Sequence, residues 1–198
     1  MKKLFALVAM VLAAGTMQAQ MAIGEFSVIP KAGLTLASLT SQDNSKINVG
    51  IVAGAEAEYQ VMDFLGVSAG LLYSQQGVSY DVPGTDKLNI NYLNIPVLAN
   101  FYVYKDLALK VGIQPGFLLT ATAKEEKGNV KTETDVKDKV EGFDLSIPMG
   151  VSYEYRNFVL DARYNLGATK ILKGADARSS RNSVFMITLG YRFNLNIF

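Results

Sequence analysis

The sequence predicts an all-β fold, an eight-stranded antiparallel up-and-down transmembrane β-barrel that follows an N-terminal signal peptide. Three observations predict it. Apolar residues alternate with small or polar residues, the alternation recurs in eight runs, and the connections between runs alternate between short and long. Successive side chains of a strand point to opposite faces, so each run has one apolar face. An up-and-down barrel with turns at one rim and loops at the other has such connections.

The first residues, MKKLFALVAMVLAAGTMQAQ, have the layout of a secretory signal peptide. Lys2 and Lys3 precede an apolar run from Leu4 to Ala14, and small and polar residues follow it. The run is shorter than the roughly 20 residues that a transmembrane helix needs. We therefore predict a signal peptide over residues 1–19 and an outer-membrane β-barrel domain over residues 20–198.

Charge and composition argue against several functions. Without Lys2 and Lys3, the 19 basic residues fall to 17 against 18 acidic ones, so nucleic acid is not an expected partner. The sequence contains neither His nor Cys. Imidazole serves most acid–base catalysis at neutral pH, serine triads and most zinc sites. We therefore expect no enzyme: no catalytic residues, no cofactor and no metal.

The clearest alternation runs from Leu107 to Thr120. Its odd-numbered positions are apolar, and its even-numbered positions, Thr120 included, are small or polar with the exception of Leu118. Such a run predicts a strand with one apolar face. Similar runs lie at 49–60, 143–156, 158–167 and 185–194, and weaker ones lie at about 28–38, 64–76 and 89–103.

The connections between these runs set the orientation. Short turns lie near residues 62–63, 105–106 and 156–157, and longer connections lie at about 39–46, 81–88, 123–142 and 170–181. An even number of strands places both termini at the short-turn rim. In outer-membrane barrels that rim faces the periplasm, so the long loops are expected to be extracellular.

Alternation also fits a soluble barrel such as a lipocalin, whose apolar face surrounds a ligand. Here glycines such as Gly112, Gly150 and Gly190 fall on the polar parity, which suits the crowded interior of a small barrel. Aromatic residues on the apolar parity concentrate near the ends of the runs, as two girdles at a membrane boundary would. The predicted girdle residues are Tyr59, Phe64, Tyr73, Phe101, Phe117, Phe143, Tyr153, Tyr155, Phe158, Tyr164, Phe185, Tyr191 and Phe193. The apolar face is therefore predicted to meet lipid.

Six stretches resemble the porin-family, PorT-like outer-membrane β-barrel domain proteins of Bacteroidota. They are KAGLTLASLT at 31–40, AGLLYSQQGVSY at 69–80, NYLNIPVLANFYVY at 91–104, KVGIQPGFLL at 110–119, DARYNLGATKI at 161–171 and TLGYRF at 188–193. The most specific pieces are Tyr92–Pro96 and Arg163–Gly167. The resemblance implies a bacterial outer-membrane barrel, without implying transport. Phe198 departs from the family pattern because it is out of step with Tyr191 and Phe193. If TLGYRF is the assembly signal, the last five residues are an extension.

Nine charged residues fall on the lumen-facing parity. They are Lys31, Glu56, Glu58, Lys110, Asp144, Glu154, Asp161, Arg163 and Arg192. With Arg156 at the rim, five basic residues balance five acidic ones. They could line a polar conduit, but we favour an interlocked network that fills the lumen, because buried charges are costly unless paired. Glu56 and Glu58 share a strand face and could form an acid–base pair, although no His accompanies them.

The long loops carry most of the other charges. Residues 123–142 alternate Lys with Glu and Asp, which suits a solvated hairpin or contact with a surface molecule. Lys170, Lys173, Arg178 and Arg181 could meet lipopolysaccharide phosphates.

From these features we predict a non-enzymatic integral outer-membrane barrel with a structural or surface-interaction role. Its expected partners are outer-membrane lipid and lipopolysaccharide, and an extracellular or envelope protein bound through the loops. Two alternatives remain open on the sequence: a narrow porin-like channel for a solute or ion, and a soluble lipocalin-like ligand-binding barrel.

The predicted orientation can be tested at two adjacent positions. Ile113→Arg should lower the free energy of unfolding by about 2–4 kcal/mol, because an arginine at the bilayer midplane is costly. Gln114→Arg should cost less, because a charge in the lumen can pair. Urea unfolding of both variants in lipid vesicles measures the difference, and equal tolerance at the two positions would contradict the orientation.

Overall fold

A computed structural model describes residues 22–39, 45–46, 48–80, 87–127, 130–170 and 181–195. The predicted signal peptide, parts of the four long connections and Phe198 lie outside these residues. The described strands are β1 (Phe26–Leu39), β2 (Ser45–Lys46), β3 (Asn48–Met62), β4 (Leu65–Tyr80), β5 (Lys87–Asn94), β6 (Val97–Tyr104), β7 (Leu107–Lys127), β8 (Val130–Asp135), β9 (Phe143–Tyr155), β10 (Phe158–Lys170), β11 (Arg181–Tyr191) and β12 (Phe193–Leu195). A short 3-10 helix, Lys137–Lys139, precedes β9.

Antiparallel pairing closes these strands into a barrel. Neighbouring strands follow the order β11, β10, β9, β7, β5, β4, β3, β1, and β1 pairs back onto β11 from Lys31↔Gly190 to Leu39↔Asn182. β5 and β6 form one barrel strand, because both lie between β4 and β7. β12 continues β11 along β1. The predicted eight-stranded antiparallel barrel is therefore confirmed.

The break between β5 and β6 falls at Pro96, whose nitrogen cannot donate to a ladder. The wall stays continuous there through other groups. The Ile95 backbone N–H donates to the Pro115 carbonyl at 2.8 Å, and the Gly70 N–H donates to the Pro96 carbonyl at 3.0 Å. The proline therefore interrupts the regular ladder without opening the barrel.

The connections differ at the two rims. Two-residue turns separate β3 from β4, β6 from β7 and β9 from β10. In the last turn Arg156 and Asn157 both have positive φ, 48° and 68°, as a type I′ hairpin turn requires. At the other rim β7 pairs with β8 from Thr122↔Asp135 to Lys127↔Val130, so a hairpin extends the sheet within the 123–142 connection.

The two faces of the barrel have opposite chemistry. Large apolar side chains on the outer face are exposed by 37–62%, and the buried side chains include many charged and amide groups. Ile113, for example, is 56% exposed, whereas its neighbour Gln114 is 2% exposed. A soluble protein does not expose such a continuous apolar surface. The soluble lipocalin-like alternative is therefore rejected.

One assignment made from the alternation is wrong. Thr120 was predicted to share the polar, lumen-facing parity, but its side chain is exposed. Asn91 pairs with Thr120 and Tyr92 pairs with Leu118, so Leu119 is an extra residue in β7. Such a β-bulge reverses the facing of the residues beyond it. Leu118, the exception in the alternation, is buried on the lumen side.

The close packing around a lumen glycine predicts that its replacement by alanine lowers stability. A Cβ added to Gly112 would lie 2.0 Å from the Val97 carbonyl oxygen on β6, so Gly112→Ala must push β7 and β6 apart. We expect a loss of about 1–3 kcal/mol of unfolding free energy, as for an overpacked core. Gly142→Ala is the control, because nothing lies within 4 Å of its added Cβ. Similar urea midpoints for the two variants in lipid vesicles would contradict this close approach.

Candidate functional site

The middle of the lumen contains five charged side chains, here called the central cluster: Lys31, Glu56, Lys110, Asp161 and Arg163. Lys31 Nζ lies 2.7 Å from Glu56 Oε2 and 3.6 Å from Asp161 Oδ2. Arg163 donates to Glu56 at 3.0 Å and to Asp161 at 2.9 Å. Lys110 Nζ lies 3.0 Å from Asp161 Oδ2. All five side chains are buried, so three cations and two carboxylates share one water-poor space.

Strand register explains how long charged side chains fit in so narrow a lumen. Lys31 pairs across the ladder with Gly54 on one side and Gly190 on the other. Lys110 and Arg163 both pair with Gly150. A glycine leaves empty the space that a neighbouring side chain would fill. The glycines therefore give the lysine and arginine side chains room to extend across adjacent strands.

A second group, here called the rim cluster, lies at the short-turn end and contains Ser27, Glu58, Tyr102, Glu154 and Arg192. Arg192 donates to Glu154 at 2.7 Å, to the Ser27 hydroxyl at 2.7 Å and to the Tyr102 hydroxyl at 3.3 Å. Its guanidinium also lies 3.5 Å from Glu58. Tyr102 donates a short hydrogen bond to Glu58. Arg192 thus connects groups from several walls of the barrel.

The two clusters together balance their charges. The central cluster has one cation more than it has carboxylates, and the rim cluster has two carboxylates for one arginine. Breaking a buried ion pair costs about 3–5 kcal/mol, because one charge is then left buried without a partner. Each carboxylate here has at least one cation within 4 Å. The formal charges of the central and rim clusters therefore cancel when the two clusters are taken together.

The long-loop end of the lumen contains amides, hydroxyls and one carboxylate, Asp144, and no ion pair is described there. Asn182 donates a short hydrogen bond to Gln76, which donates to the Ser74 hydroxyl at 2.8 Å. Asn94 donates to the same hydroxyl at 2.6 Å. Asp144 lies apart from both charge clusters, and it accepts a hydrogen bond from Thr169 at 2.8 Å. An amide network therefore takes the place of ion pairs at this end.

An apolar group closes the same end. Val140, 1% exposed, packs with Ile90, Tyr92, Leu118 and Ala121. Its segment is held to β7 by two backbone hydrogen bonds, Val136 N–H to the Ala121 carbonyl and Leu118 N–H to the Gly142 carbonyl. The segment between β8 and β9 thus inserts one valine into the mouth of the lumen.

The sequence-predicted lumen residues fall into these groups unevenly. Eight of the nine belong to the central or rim cluster, and Asp144 belongs to neither. The Glu154 side chain is 23% exposed at the rim. Glu56 and Glu58 lie in different clusters, each engaged by its own arginine, so they do not form a paired acid and base.

Sequence reasoning missed Tyr102 and Val140. Tyr102 lies on the lumen parity of β6, two positions beyond the buried Asn100, so the alternation carried a signal for it. Val140 lies in a connection without strand periodicity, and only the fold brings it to Tyr92.

The thirteen predicted girdle aromatics all lie at outward-facing positions, with Tyr73 and Tyr153 half-buried there. Phe117 and Phe143 contact edge to face toward the long loops, with ring centroids 5.7 Å apart. Tyr191 contacts Phe158 at 5.2 Å and Phe193 at 4.8 Å toward the short turns. That these rings mark the two membrane boundaries stays a prediction.

The described residues contain no group of three or more carboxylate, His or Cys side chains placed to hold a metal ion. The same residues include no helix with the length and hydropathy needed to cross a membrane.

The ion pairs of the central cluster predict how the replacement of Arg163 changes the free energy of unfolding. Arg163→Met should lower the free energy of unfolding by about 3–5 kcal/mol, because it leaves Glu56 and Asp161 buried with fewer cations. Arg163→Lys keeps the charge and should lose less. Lys105→Met, which removes an exposed cation from the β6–β7 turn, is the control and should change little. Urea unfolding in lipid vesicles measures all three, and an Arg163→Met variant as stable as the control would contradict the network.

Comparison with known proteins places this architecture. The Ail attachment invasion locus protein of Yersinia pestis is 19% identical, with a TM-score of 0.52 over 87% of this chain and 100% of Ail. Ail in complex with the heparin analogue sucrose octasulfate gives 17% identity and a TM-score of 0.50, covering 86% and 99%. Neisserial surface protein A gives 17% identity and 0.49, covering 86% and 97%. No curated protein has significant sequence similarity to the chain.

The two Ail structures share the fold of the chain at low identity. The assignment to a family comes from the sequence, because the profile of the outer membrane protein β-barrel domain matches residues 18–173, well over half of the chain. The chain therefore belongs to the outer membrane protein β-barrel domain family.

Proposed function

We propose that this outer-membrane β-barrel protein is non-enzymatic, that its lumen is closed by its own side chains, and that it acts in a structural or surface-interaction role through its long loops. The observation that carries the proposal is that side chains from distant walls meet inside the barrel at three levels. A barrel whose interior is filled at successive levels leaves the loops and outer wall as the surfaces available for contact.

The contacts across the lumen define these levels. At the short-turn rim, Arg192 after β11 donates to Tyr102 on β6, four barrel strands away and therefore on the opposite wall. In the middle, Arg163 on β10 donates to Glu56 on β3, three strands away. At the long-loop end, Asn182 on β11 donates to Gln76 on β4, also three strands away. A continuous water path would have to pass all three contacts.

The lumen carboxylates are used in this closure. Glu56 and Asp161 are each held by at least two cations, and Glu58 accepts from Tyr102 beside Arg192. A general acid or base must reach a substrate proton within hydrogen-bonding distance. Carboxylates buried in a paired network are poorly placed for that role, which supports the absence of catalysis.

The proposed orientation puts the termini in the periplasm and the long loops outside the cell. It rests on the rim asymmetry, because two-residue turns and the pair Phe26↔Leu195 lie at one end and the β7–β8 hairpin extends beyond the other. Outer-membrane lipid and lipopolysaccharide are then neighbours of the outer wall. An extracellular or envelope protein is a further candidate partner for the loops. Ail, which has the same fold, has been seen in complex with a heparin analogue.

We also infer that the chain is a PorT-like member of the porin family from Bacteroidota. The two most specific stretches of the resemblance support it, since both have structural roles here. In Tyr92–Pro96, the tyrosine is buried under Val140 and the proline separates β5 from β6. In Arg163–Gly167, the arginine is part of the central cluster.

Electrical recording separates a closed lumen from a narrow channel. The purified barrel, reconstituted in a planar lipid bilayer, should show no discrete conductance steps, because three levels of contact obstruct the lumen. A conducting porin inserted in the same bilayer shows that the recording can detect a pore.

Two variants test whether any conductance steps come from ions that pass through the central cluster. Asp161→Asn and Arg163→Met each remove a charge from the central cluster. Discrete steps in the unaltered protein whose amplitude changes in either variant would place the ion path through this cluster and overturn the closed lumen.

A further inference from the structure

A polar cleft lies in the barrel wall at the long-loop end, apart from the lumen clusters. Its volume is about 250 Å³. Val49 and Gly50 line it together with six polar residues, which are Asn48, Gln75, Asn89, Asn91, Thr122 and Glu133. They come from β3, β4, β5, β7 and β8, so the cleft crosses five strands.

The cleft forms where the ladder between β3 and β4 stops. These strands pair from Met62↔Leu65 up to Val52↔Ser74, and beyond that point the described part of β3 pairs only with β1. β4 continues in register with β5 as far as Ser79↔Lys87. The ladder along this edge of β4 is therefore interrupted beside Gly50, and it resumes where β2 pairs with β4 at Lys46↔Ser79 and Ser45↔Tyr80.

Gly50 allows β3 to lie close to β4 where the ladder is interrupted. The Thr35 hydroxyl passes beside Gly50 and donates to the Gln75 carbonyl at 2.5 Å, in place of a donor from the β3 ladder. A Cβ at Gly50 would lie 2.4 Å from the Gln75 carbonyl oxygen and 2.7 Å from the Thr35 hydroxyl oxygen. The arrangement therefore depends on a glycine at this position and is built into the wall.

The lining side chains favour a particular ligand chemistry. Each Asn or Gln amide offers two N–H donors and an acceptor oxygen, and Thr122 offers a hydroxyl. The six described polar side chains include no Lys or Arg, and Glu133 adds a carboxylate, so an anionic ligand finds no counter-charge among them. Asn91 donates to the Thr120 hydroxyl at 2.7 Å, which orients its amide. Closely spaced donors and acceptors, with no cation among the described lining side chains, suit a neutral molecule rich in hydroxyl groups.

The position of the cleft agrees with such a ligand. Gln75 follows the predicted girdle residue Tyr73 by two residues and faces the same outer side of β4. The cleft therefore begins just beyond the predicted membrane boundary, at the depth where lipid headgroups and surface polysaccharides lie.

We propose that this cleft binds one neutral pyranose ring, either of a free saccharide or of a glycolipid headgroup. The inference rests on the proposed function only in that the long loops must face outward for a cell-surface sugar to reach the cleft. The binding chemistry itself does not depend on orientation or on a closed lumen.

The test titrates the ¹⁵N-labelled full barrel, refolded in dodecylphosphocholine micelles, with methyl β-D-glucopyranoside, methyl β-D-galactopyranoside and N-acetylglucosamine, and follows side-chain amide signals by NMR. At least one sugar should shift the Asn89 and Asn91 amide signals saturably. Asn89→Ala and Asn91→Ala should each weaken binding about tenfold, as expected for the loss of about 1.4 kcal/mol of hydrogen bonding. Asn194→Ala removes an exposed asparagine at the opposite rim and is the matched control.

Two further titrations define the ligand class. Glucose 6-phosphate should bind more weakly than the neutral glucoside, and tighter binding would overturn the neutral-sugar assignment. Octyl β-D-glucopyranoside added to the barrel in phospholipid nanodiscs presents the same ring as a lipid headgroup. Saturation by this glucoside only would identify a glycolipid, and saturation by the methyl glycosides as well would identify a free saccharide.

The outcomes that contradict the proposal are distinct from those that contradict the closed lumen. If no sugar shifts the cleft amides saturably, or if Asn91→Ala binds as well as the Asn194→Ala control, the cleft is not a sugar site. The heat-dependent gel mobility of each variant shows whether it has folded, so a loss of binding is read only from folded barrels. Conductance plays no part in this experiment, and a conducting lumen would leave its result unchanged.

Discussion

Closure of β1 onto β11 is the constraint on which the rest of the structure depends. In lipid, an unsatisfied backbone group costs several kcal/mol, so the sheet cannot leave an edge in the hydrocarbon region. The β1–β11 ladder from Lys31 to Leu39, continued by the β1–β12 pairs near Phe26, removes that edge. Closing with eight strands also fixes a narrow interior that side chains can fill. The chemistry of both faces follows from this one ring of hydrogen bonds.

The narrow interior explains why glycine and charge occur together in this lumen. Long charged side chains such as Lys31 and Arg163 need space beside them, and glycines across the ladder provide it. Once inside, the charges must pair, because water cannot solvate them freely. The same contacts then join walls that the ladder does not connect directly, as Arg163 and Glu56 show. The contacts that fill the lumen therefore also hold non-adjacent strands of the barrel together.

Alternation in the sequence predicted the parts of this structure that depend on local geometry. Ile113 and Gln114 face opposite sides because strand periodicity is fixed by the backbone. The bulge at Leu119 was not predictable in this way, since it is defined by its pairing with β5. The division of Glu56 and Glu58 between two clusters depends on which strands lie opposite, which requires the closed register. Val140 reaches the lumen from a segment without periodicity, so local pattern carried no information about it.

The two ends of the barrel differ in a way that bears on function. At the short-turn rim, Arg192 donates to Glu154 and Ser27. The connections there are two-residue turns, so this rim has no long loop in the described residues. At the other end amides replace the ion pairs, the ladder along β4 is interrupted between β3 and β2, and the sheet continues into the β7–β8 hairpin. A closed, charge-paired base supplies rigidity, because its contacts cross the lumen. The proposed recognition needs only the upper wall, where the interrupted ladder shapes a cleft and the ring of strands below it stays paired.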